Sequence, residues 1–320
     1  MIKQRTYAIG DIHGNYRGLM QALEACGIDK EKDELIVLGD VVDGYPDVIK
    51  VIDELLTFKN LIIIEGNHDA WAKEWLEYDE AREIWLRQGG ANTYKDYQAN
   101  KPKKAKHLKD YFRKAAAFYH DTERKHVYVH GGFNWHLTLE QNGIDVFLWD
   151  RHMVETAQYW QADYDKIRTA ELQLFPGYDR IFVGHTDTRI KYDGRYEAGT
   201  NPAFLSNLIN LDTGGGWQGK ITIMDVDSKE YWQSDLADDI YPFGHLREPA
   251  GEMMKVTVKD NVAKDRWWRH YEGKEVICDH LNPALGYRVY TEMENEDQFY
   301  IPVSEVTDIK FIKGGSDGDD

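Results

Sequence analysis

Short apolar runs in this chain repeatedly stop at a polar residue that can bind a metal or a phosphate. Tyr7-Ala8-Ile9-Gly10 runs into Asp11-Ile12-His13-Gly14, and Leu35-Ile36-Val37-Leu38-Gly39 into Asp40-Val41-Val42-Asp43. Leu61-Ile62-Ile63-Ile64-Glu65-Gly66 precedes Asn67-His68-Asp69, and Val127-Tyr128-Val129 precedes His130-Gly131-Gly132. Ile181-Phe182-Val183-Gly184 meets His185-Thr186, and Leu208-Ile209-Asn210-Leu211 meets Asp212-Thr213-Gly214. Buried strands read as such runs, and ligands of open sheets gather beyond strand carboxyl ends. The pattern predicts one oxygen- and nitrogen-rich metal pocket where several strands stop.

Asp, His and Asn without Cys suit hard or borderline divalent ions such as Mn²⁺, Fe²⁺ or Zn²⁺. A carboxylate can bridge two such ions, which then sit roughly 3.5–4 Å apart and act together on a phosphoryl group. Glycines beside the ligands, among them Gly10, Gly39, Gly66 and Gly184, let the backbone approach the ions closely.

The series Gly10-Asp11-Ile12-His13-Gly14, Gly39-Asp40-Val41-Val42-Asp43, Gly66-Asn67-His68-Asp69, His130-Gly131-Gly132 and Gly184-His185-Thr186 resembles the phosphoprotein phosphatase family of binuclear metallophosphoesterases. The resemblance is to its compact bacterial and phage branch, represented by the bacteriophage lambda phosphatase. It covers roughly residues 5–226 and includes Leu148-Trp149-Asp150-Arg151 and Leu211-Asp212-Thr213-Gly214. It implies that Asp11 and His13 hold a first metal, that Asp40 bridges both, and that Asn67, His130 and His185 complete the second. The two divalent ions would be Mn²⁺, with Fe²⁺ or Zn²⁺ as alternatives. His68 would be the general acid, oriented by Asp43, since a carboxylate raises an imidazole's pKa and fixes its tautomer. Arg151 falls at the family's phosphate-clamping arginine, and Asn67 would also face the phosphate; the alternative for Arg151 is a surface salt bridge.

One departure stands out. The family usually reads Asp-Arg-Gly after its second aspartate motif, whereas this chain reads Asp43-Gly44-Tyr45-Pro46. Gly44 would open space and remove a positive charge beside the phosphate, and Arg189 is the nearest compensating cation in motif terms.

At 320 residues and 42% hydrophobic content the chain can bury one large core and add a small domain. Its two cysteines, Cys26 on an expected helix and Cys278 in an expected strand, read as buried reduced thiols. The start Met1-Ile2-Lys3-Gln4-Arg5 lacks the apolar core of a signal peptide, and no membrane span is visible. A soluble, cytoplasmic protein is expected. The net charge of −17 disfavours nonspecific nucleic-acid binding. Lys101-Pro102-Lys103-Lys104-Ala105-Lys106 is a local exception, read as a solvated loop or as a docking patch for an acidic partner.

The expected fold is α/β: a metallophosphoesterase-type central β-sandwich flanked by helices, with a helical cap insert and a small C-terminal β-rich, SH3-like domain. Tyr16, Leu19, Met20 and Leu23 form a helical stripe stopped by Gly27. Pro46 suits a first helical turn ahead of Val48, Val51, Ile52 and Leu55. The catalytic domain spans 1–234, with the cap at about 71–120, broken at Gly89-Gly90 and around Pro102. Trp71, Trp75 and Trp85 are placed to pack the cap on the body or to stack substrate. Residues 235–250 read as a linker, 251–313 as the β domain, and 314–320 as a disordered acidic tail. The small domain could dock a partner, cover the site, make a dimer contact or serve as an appendage.

The expected activity is phosphomonoester hydrolysis, of the serine/threonine protein phosphatase type, by in-line attack of a metal-bridging hydroxide. The alternative is a dinucleoside polyphosphate or nucleic-acid-end phosphohydrolase. The substrate is thus a phosphorylated protein or small molecule. A noncatalytic phosphate-binding module would have no need of His68.

Overall fold

Tyr7, Ala8, Ile9, Leu35, Ile36 and Val37 are all fully buried, so their strands must be covered on both faces. The computed structural model describes residues 4–167, 173–192, 198–241 and five strand segments beyond them. β1 (Thr6–Ile9), β2 (Glu34–Val37) and β3 (Asn60–Ile63) pair in parallel. β9 (Thr222–Asp225) and β10 (Tyr231–Gln233) extend this sheet antiparallel in the order β10-β9-β1-β2-β3. A second five-stranded sheet has the order β4-β5-β6-β8-β7. It is built from β4 (Phe118–Asp121), β5 (His126–Val129), β6 (Arg180–Val183), β7 (Ala203–Leu205) and β8 (Leu208–Asn210).

The period-two alternation of a strand sorts the apolar residues into layers. Ala8, Ile36 and Met224 meet Tyr128, Phe182 and Ile209 in a cluster between the sheets. Tyr128 and Phe182 stack there at 4.9 Å. The opposite face of the first sheet, with Tyr7, Ile9, Leu35 and Val37, is covered by α1 (Tyr16–Cys26) and α2 (Val48–Leu55). The outer face of the second sheet packs under α7 (Ile144–Trp149) and α8 (His152–Ile167). The result is the expected α/β sandwich. Asn15 caps α1 by accepting the Gly18 N–H at 2.8 Å, and Gly27, at φ +62, ends it.

The cap is helical but bounded differently from expectation. It starts with α3 (Asn67–Tyr78), continues through α4 (Glu83–Trp85), a wide turn at Leu86–Gly90, α5 (Ala91–Ala99) and α6 (Lys101–Asp110). It closes in a 3₁₀ turn at Phe112–Lys114; His120 belongs to β4, paired with Val127. Trp75 and Trp85 are buried and their rings pack at 5.5 Å within the cap, and both belong to the core cluster that holds Val37 of β2 and Val51 of α2. The Lys101–Lys106 stretch opens α6 and is not a loop. Pro102 is tolerated in its first turn, and Lys103 and Lys104 pair with Asp53 (2.5 Å) and Asp79 (2.6 Å).

The expected linker also starts later than position 235. Ala237–Ile240 form a short helix, α9, and buried Tyr241 packs on Tyr45 at 4.6 Å while its hydroxyl donates to Asp47. Residues 242–250 lie outside the described residues, as does the 314–320 tail. The chain divides into two compact units, 1–241 and 242–320. In the second, β11 (Met253–Val258), β12 (Glu275–Asn282), β13 (Gly286–Val289), β14 (Tyr300–Ile301) and β15 (Val306–Ile312) form an antiparallel sheet ordered β14-β13-β12-β11-β15. Cys278 is in β12, and Cys26 is a buried free thiol at the end of α1. Among the described residues no helix is long and apolar enough to cross a membrane.

The two main sheets pinch together just past β1 and β8, where a Cβ on Gly10 would collide with the Leu211 carbonyl oxygen. Backbone cannot yield as a flexible side chain does. Gly10→Ala should therefore destabilise the first unit by about 1–3 kcal/mol, read as a lowered thermal midpoint with the far-ultraviolet circular dichroism preserved.

Candidate metal centre

Each parallel strand delivers its site residues at its carboxyl end. Asp11 and His13 follow β1, Asp40 and Asp43 follow β2, Asn67 and His68 open α3 after β3, His130 follows β5 and His185 follows β6. The turns are tight. His13 (φ +48), Asp40 (φ +48), Asp43 (φ +71) and His185 (φ +62) adopt left-handed backbone conformations that cost non-glycine residues of order 1–3 kcal/mol each. Hydrogen bonds hold them there: the Asp40 carbonyl accepts both the Ile12 and His13 N–H groups, at 3.0 and 2.9 Å. Cβ atoms on Gly66 and Gly184 would collide with the carboxylates of Asp40 and Asp11.

Asp11, His13 and Asp40 bring ligand atoms within 4.8 Å of one another, and so do Asp40, His130 and His185. Asp40 is common to both groups. The histidines are pre-aimed. His13 and His130 each donate Nδ1–H to a backbone carbonyl at 2.8 Å, of Val42 and Leu38, which leaves each Nε2 lone pair facing the centre. His130 Nε2 lies 3.3 Å from Asp40 Oδ2 and 3.0 Å from Asn67 Oδ1, so two oxygen acceptors converge on a position that a proton or a metal ion would satisfy. His185 Nε2 is buried without any hydrogen-bond partner. An orphaned buried nitrogen beside converging carboxylate and amide oxygens is what a cation would satisfy.

The charge balance points the same way. Burial, reinforced by Asp212 and Asp40, pushes the Asp11 carboxyl well above the usual carboxylate range. Burial and Asp187 raise Asp212 to about 7, and burial and Asp40 raise Asp69 to about 7. Burial lowers His13 to about 4; burial with His130 and Arg151 nearby lowers His185 to about 2. His130 runs the other way: burial works against its cation, but Asp40 raises its pKa. Crowded carboxylates beside the lowered His13 and His185 call for positive charge, and divalent ions supply it.

Beside the centre, His68 Nδ1–H donates to Asp43 Oδ2 at 2.6 Å. Burial works against the His68 cation, but Asp40 and Asp43 prevail and lift its pKa to about 9. The cleft over these residues has a volume of about 540 Å³. Arg151 lines it and donates one Nη1–H to the His185 carbonyl at 2.8 Å; no carboxylate partner for it is among the described ion pairs. Arg189 also lines the cleft, but it is clamped on Asp187, with Nε 2.9 Å from Oδ1 and Nη2 2.5 Å from Oδ2.

Gly44 does not open space. At φ +65, a Cβ there would come within 3.0 Å of both the His13 Cβ and the His13 carbonyl oxygen. Gly89 of the cap lies close by, where a Cβ on it would come within 2.8 Å of the Gly44 nitrogen. Tyr45 turns away toward Tyr241, and its hydroxyl donates to the Trp217 carbonyl.

Several site residues had no assigned role in the sequence reading. Asp212 lines the cleft at the end of β8, and the strand-end rule that singled out the other ligands marks it equally. Asp69 ties two site loops together, accepting the Val41 and Gly66 N–H groups at 3.1 and 3.2 Å. Trp149 and Trp217 line the cleft half-exposed; Trp149 lies in the Leu148-Trp149-Asp150-Arg151 motif, whereas no local pattern marks Trp217.

Residues 4–189 match the family model described as calcineurin-like phosphoesterase. A symmetrical bis(5'-nucleosyl)-tetraphosphatase of Pseudomonas putida is 25% identical over 296 residues, covering 77% of this chain and 96% of that protein. Serine/threonine-protein phosphatase 2 of Escherichia coli is 25% identical over 223 residues, covering 69% of this chain and 92% of that protein. Among solved structures, a protein serine/threonine phosphatase from Saccharomyces cerevisiae aligns with a TM-score of 0.46 at 13% identity, over 77% of this chain and 82% of its own. A metallophosphoesterase from Sphaerobacter thermophilus aligns at 0.43 and 18% identity, over 72% and 87%.

The shared carboxylate sets an expectation for stoichiometry. Manganese-loaded protein should retain two ions per chain after desalting, His13→Ala fewer, and Asp40→Asn close to none, as read by elemental analysis. Full retention by Asp40→Asn would show that its carboxylate is not shared between ions.

Proposed function

The chain belongs to the calcineurin-like phosphoesterase family and is a hydrolase, and from that premise we propose a serine/threonine-type phosphomonoesterase using two divalent ions, Mn²⁺ by preference. The observation that carries this reading is the juxtaposition of two ligand groups sharing Asp40 with the His68–Asp43 pair. The His13 and His68 rings are 4.9 Å apart, so a phosphoryl group at the ions would lie beside His68.

Asp11, His13 and Asp40 would hold one ion, and Asp40, Asn67, His130 and His185 the other. When bound, such ions polarise the phosphoryl oxygens and activate the attacking water. Arg151 is exposed, and its remaining N–H groups can grip the nonbridging oxygens once Nη1 is anchored on His185. Asn67 presents its side chain to the same cleft. With Nδ1–H held by Asp43, His68 carries its second proton on Nε2, directed away from the carboxylate and able to protonate the leaving oxygen. Arg189 would compensate for Gly44 only in part, because Asp187 already takes its planar fork.

A second reading is favoured by a separate observation. Trp149 and Trp217 are 42% and 53% exposed on the cleft, and exposed indole faces stack nucleobases well. Hydrolysis of dinucleoside polyphosphates, the activity in the name of the Pseudomonas relatives, would use the same centre. Either substrate fits a cytoplasmic enzyme.

His68→Asn should lower turnover of an alkyl or aryl phosphate by roughly 10²–10⁴-fold with manganese bound as before. Unimpaired turnover would remove His68 from the chemistry. Side-by-side kcat/KM values on phosphoserine peptides, dinucleoside polyphosphates and 5'-phosphorylated RNA should rank the peptides first; a lead for the dinucleotides would transfer the assignment to the second reading.

A further inference from the structure

The helical cap also touches the site through Trp85 and Thr93, two residues given no role in the site above. Asp43 is fully buried, and both its carboxylate oxygens are engaged. Oδ2 accepts His68 Nδ1–H at 2.6 Å and Trp85 Nε1–H at 2.8 Å. Oδ1 accepts the Thr93 hydroxyl at 2.7 Å and lies 3.0 Å from Trp85 Nε1. Thr93 Oγ1 in turn accepts the Asp43 backbone N–H at 2.8 Å. Trp85 and Thr93 flank the Leu86–Gly90 turn of the cap, so the donors that fix this carboxylate, apart from His68, come from the insert.

Two glycines make that approach possible. Gly89 lies so close that a Cβ on it would come within 2.8 Å of the Gly44 nitrogen and 3.4 Å of the Asp43 Cβ. Asn92 adds a hydrogen bond from its amide to the Gly44 carbonyl at 2.7 Å. A long side chain at position 44 would compete with the cap for this space. The departure at Gly44 and the cap's grip on Asp43 are therefore two aspects of one arrangement.

We propose that Trp85 and Thr93 are positioning residues for proton donation, holding the Asp43 carboxylate in the one orientation that keeps the His68 Nε2 proton facing the cleft. An indole N–H can only donate, and the Thr93 hydroxyl, already accepting from the Asp43 amide, donates its proton to Oδ1. Both define Asp43 as an ionised acceptor that cannot turn. Without them the carboxylate can rotate, and the imidazole loses its fixed tautomer and aim. The proposal rests on His68 being the acid, so the test must separate the two ideas.

Leaving-group dependence does so. Phenyl phosphate needs help in expelling its oxygen, whereas dinitrophenyl phosphate leaves without a proton. Thr93→Val and Trp85→Phe should each lower kcat on phenyl phosphate roughly 10-fold and leave dinitrophenyl phosphate nearly unchanged. Thr93→Ser should restore the lost rate. His68→Asn should show the same selectivity more strongly, and adding Thr93→Val to it should cost nothing further. Equal slowing of both esters by the cap variants, or no slowing at all, while His68→Asn stays selective, would reduce Trp85 and Thr93 to structural contacts. An unselective His68→Asn would instead overturn the acid assignment, and this inference with it. Thermal melts show whether Trp85→Phe folds; Thr93→Val, nearly isosteric, carries the test if it does not.

Discussion

Asp40 is the point on which the rest of this structure depends. Its backbone carbonyl fixes the Ile12 and His13 amides, and Oδ1 accepts the His68 N–H at 2.9 Å. Its Oδ2 faces His13 Nε2 at 3.7 Å and His130 Nε2 at 3.3 Å. One buried residue thus ties the first, second and third strand-end loops of one sheet to the histidine of the other. Burial alone would raise its pKa; His130 and His68 more than offset this and hold the carboxyl well below the usual range, so it stays an acceptor. The left-handed backbone at Asp40 is tolerated because these partners over-determine it.

The sandwich explains how residues so far apart in sequence can meet. Two sheets packed through Ala8, Ile36, Tyr128 and Phe182 set β1 and β2 beside β5 and β6, with loops leaving toward a common edge. Gly10 and Gly184 remove the side chains that would hold those loops apart. The site then concentrates Asp11, Asp40 and Asp212 where water is scarce. Such a cluster is tolerable with cations at hand, and the molecule's net charge of −17 makes this local need sharper, not weaker.

Much of this was legible before any coordinates. Apolar runs that end in Asp, His or Asn have a simple cause: a doubly covered parallel strand must be apolar throughout, and its carboxyl end faces the cleft. That rule located the strands bearing Asp11, Asp40, Asn67, His130 and His185. The stripe of α1 and its stop at Gly27 were equally readable. What escaped was non-local. The Lys101–Lys106 run looks like a solvated loop until Asp53 and Asp79 are seen opposite it. Ala237–Ile240 is too short to show a period, and its partners Tyr45 and Asp47 are almost two hundred residues earlier. The bonds from Trp85 and Thr93 to Asp43 span 42 and 50 residues and follow no spacing rule.

Gly44 shows why a motif gap is better read in three dimensions than as a deletion. On the sequence it is a missing cation, and the natural question is which other cation replaces it. In the structure the position has a left-handed backbone, and a Cβ there would already press on His13 and Gly216. Arg189, the nearest substitute in motif terms, is bound to Asp187. On the proposed reading, phosphate binding would fall to Arg151 and to whatever ions the ligand groups hold, while the cap donors would stiffen Asp43 behind His68. The chain would thus give up a clamp on the substrate and gain rigidity in the group that releases the product. That exchange favours substrates held by something besides phosphate charge, and the half-exposed Trp149 and Trp217 are the surfaces in the cleft able to do the holding.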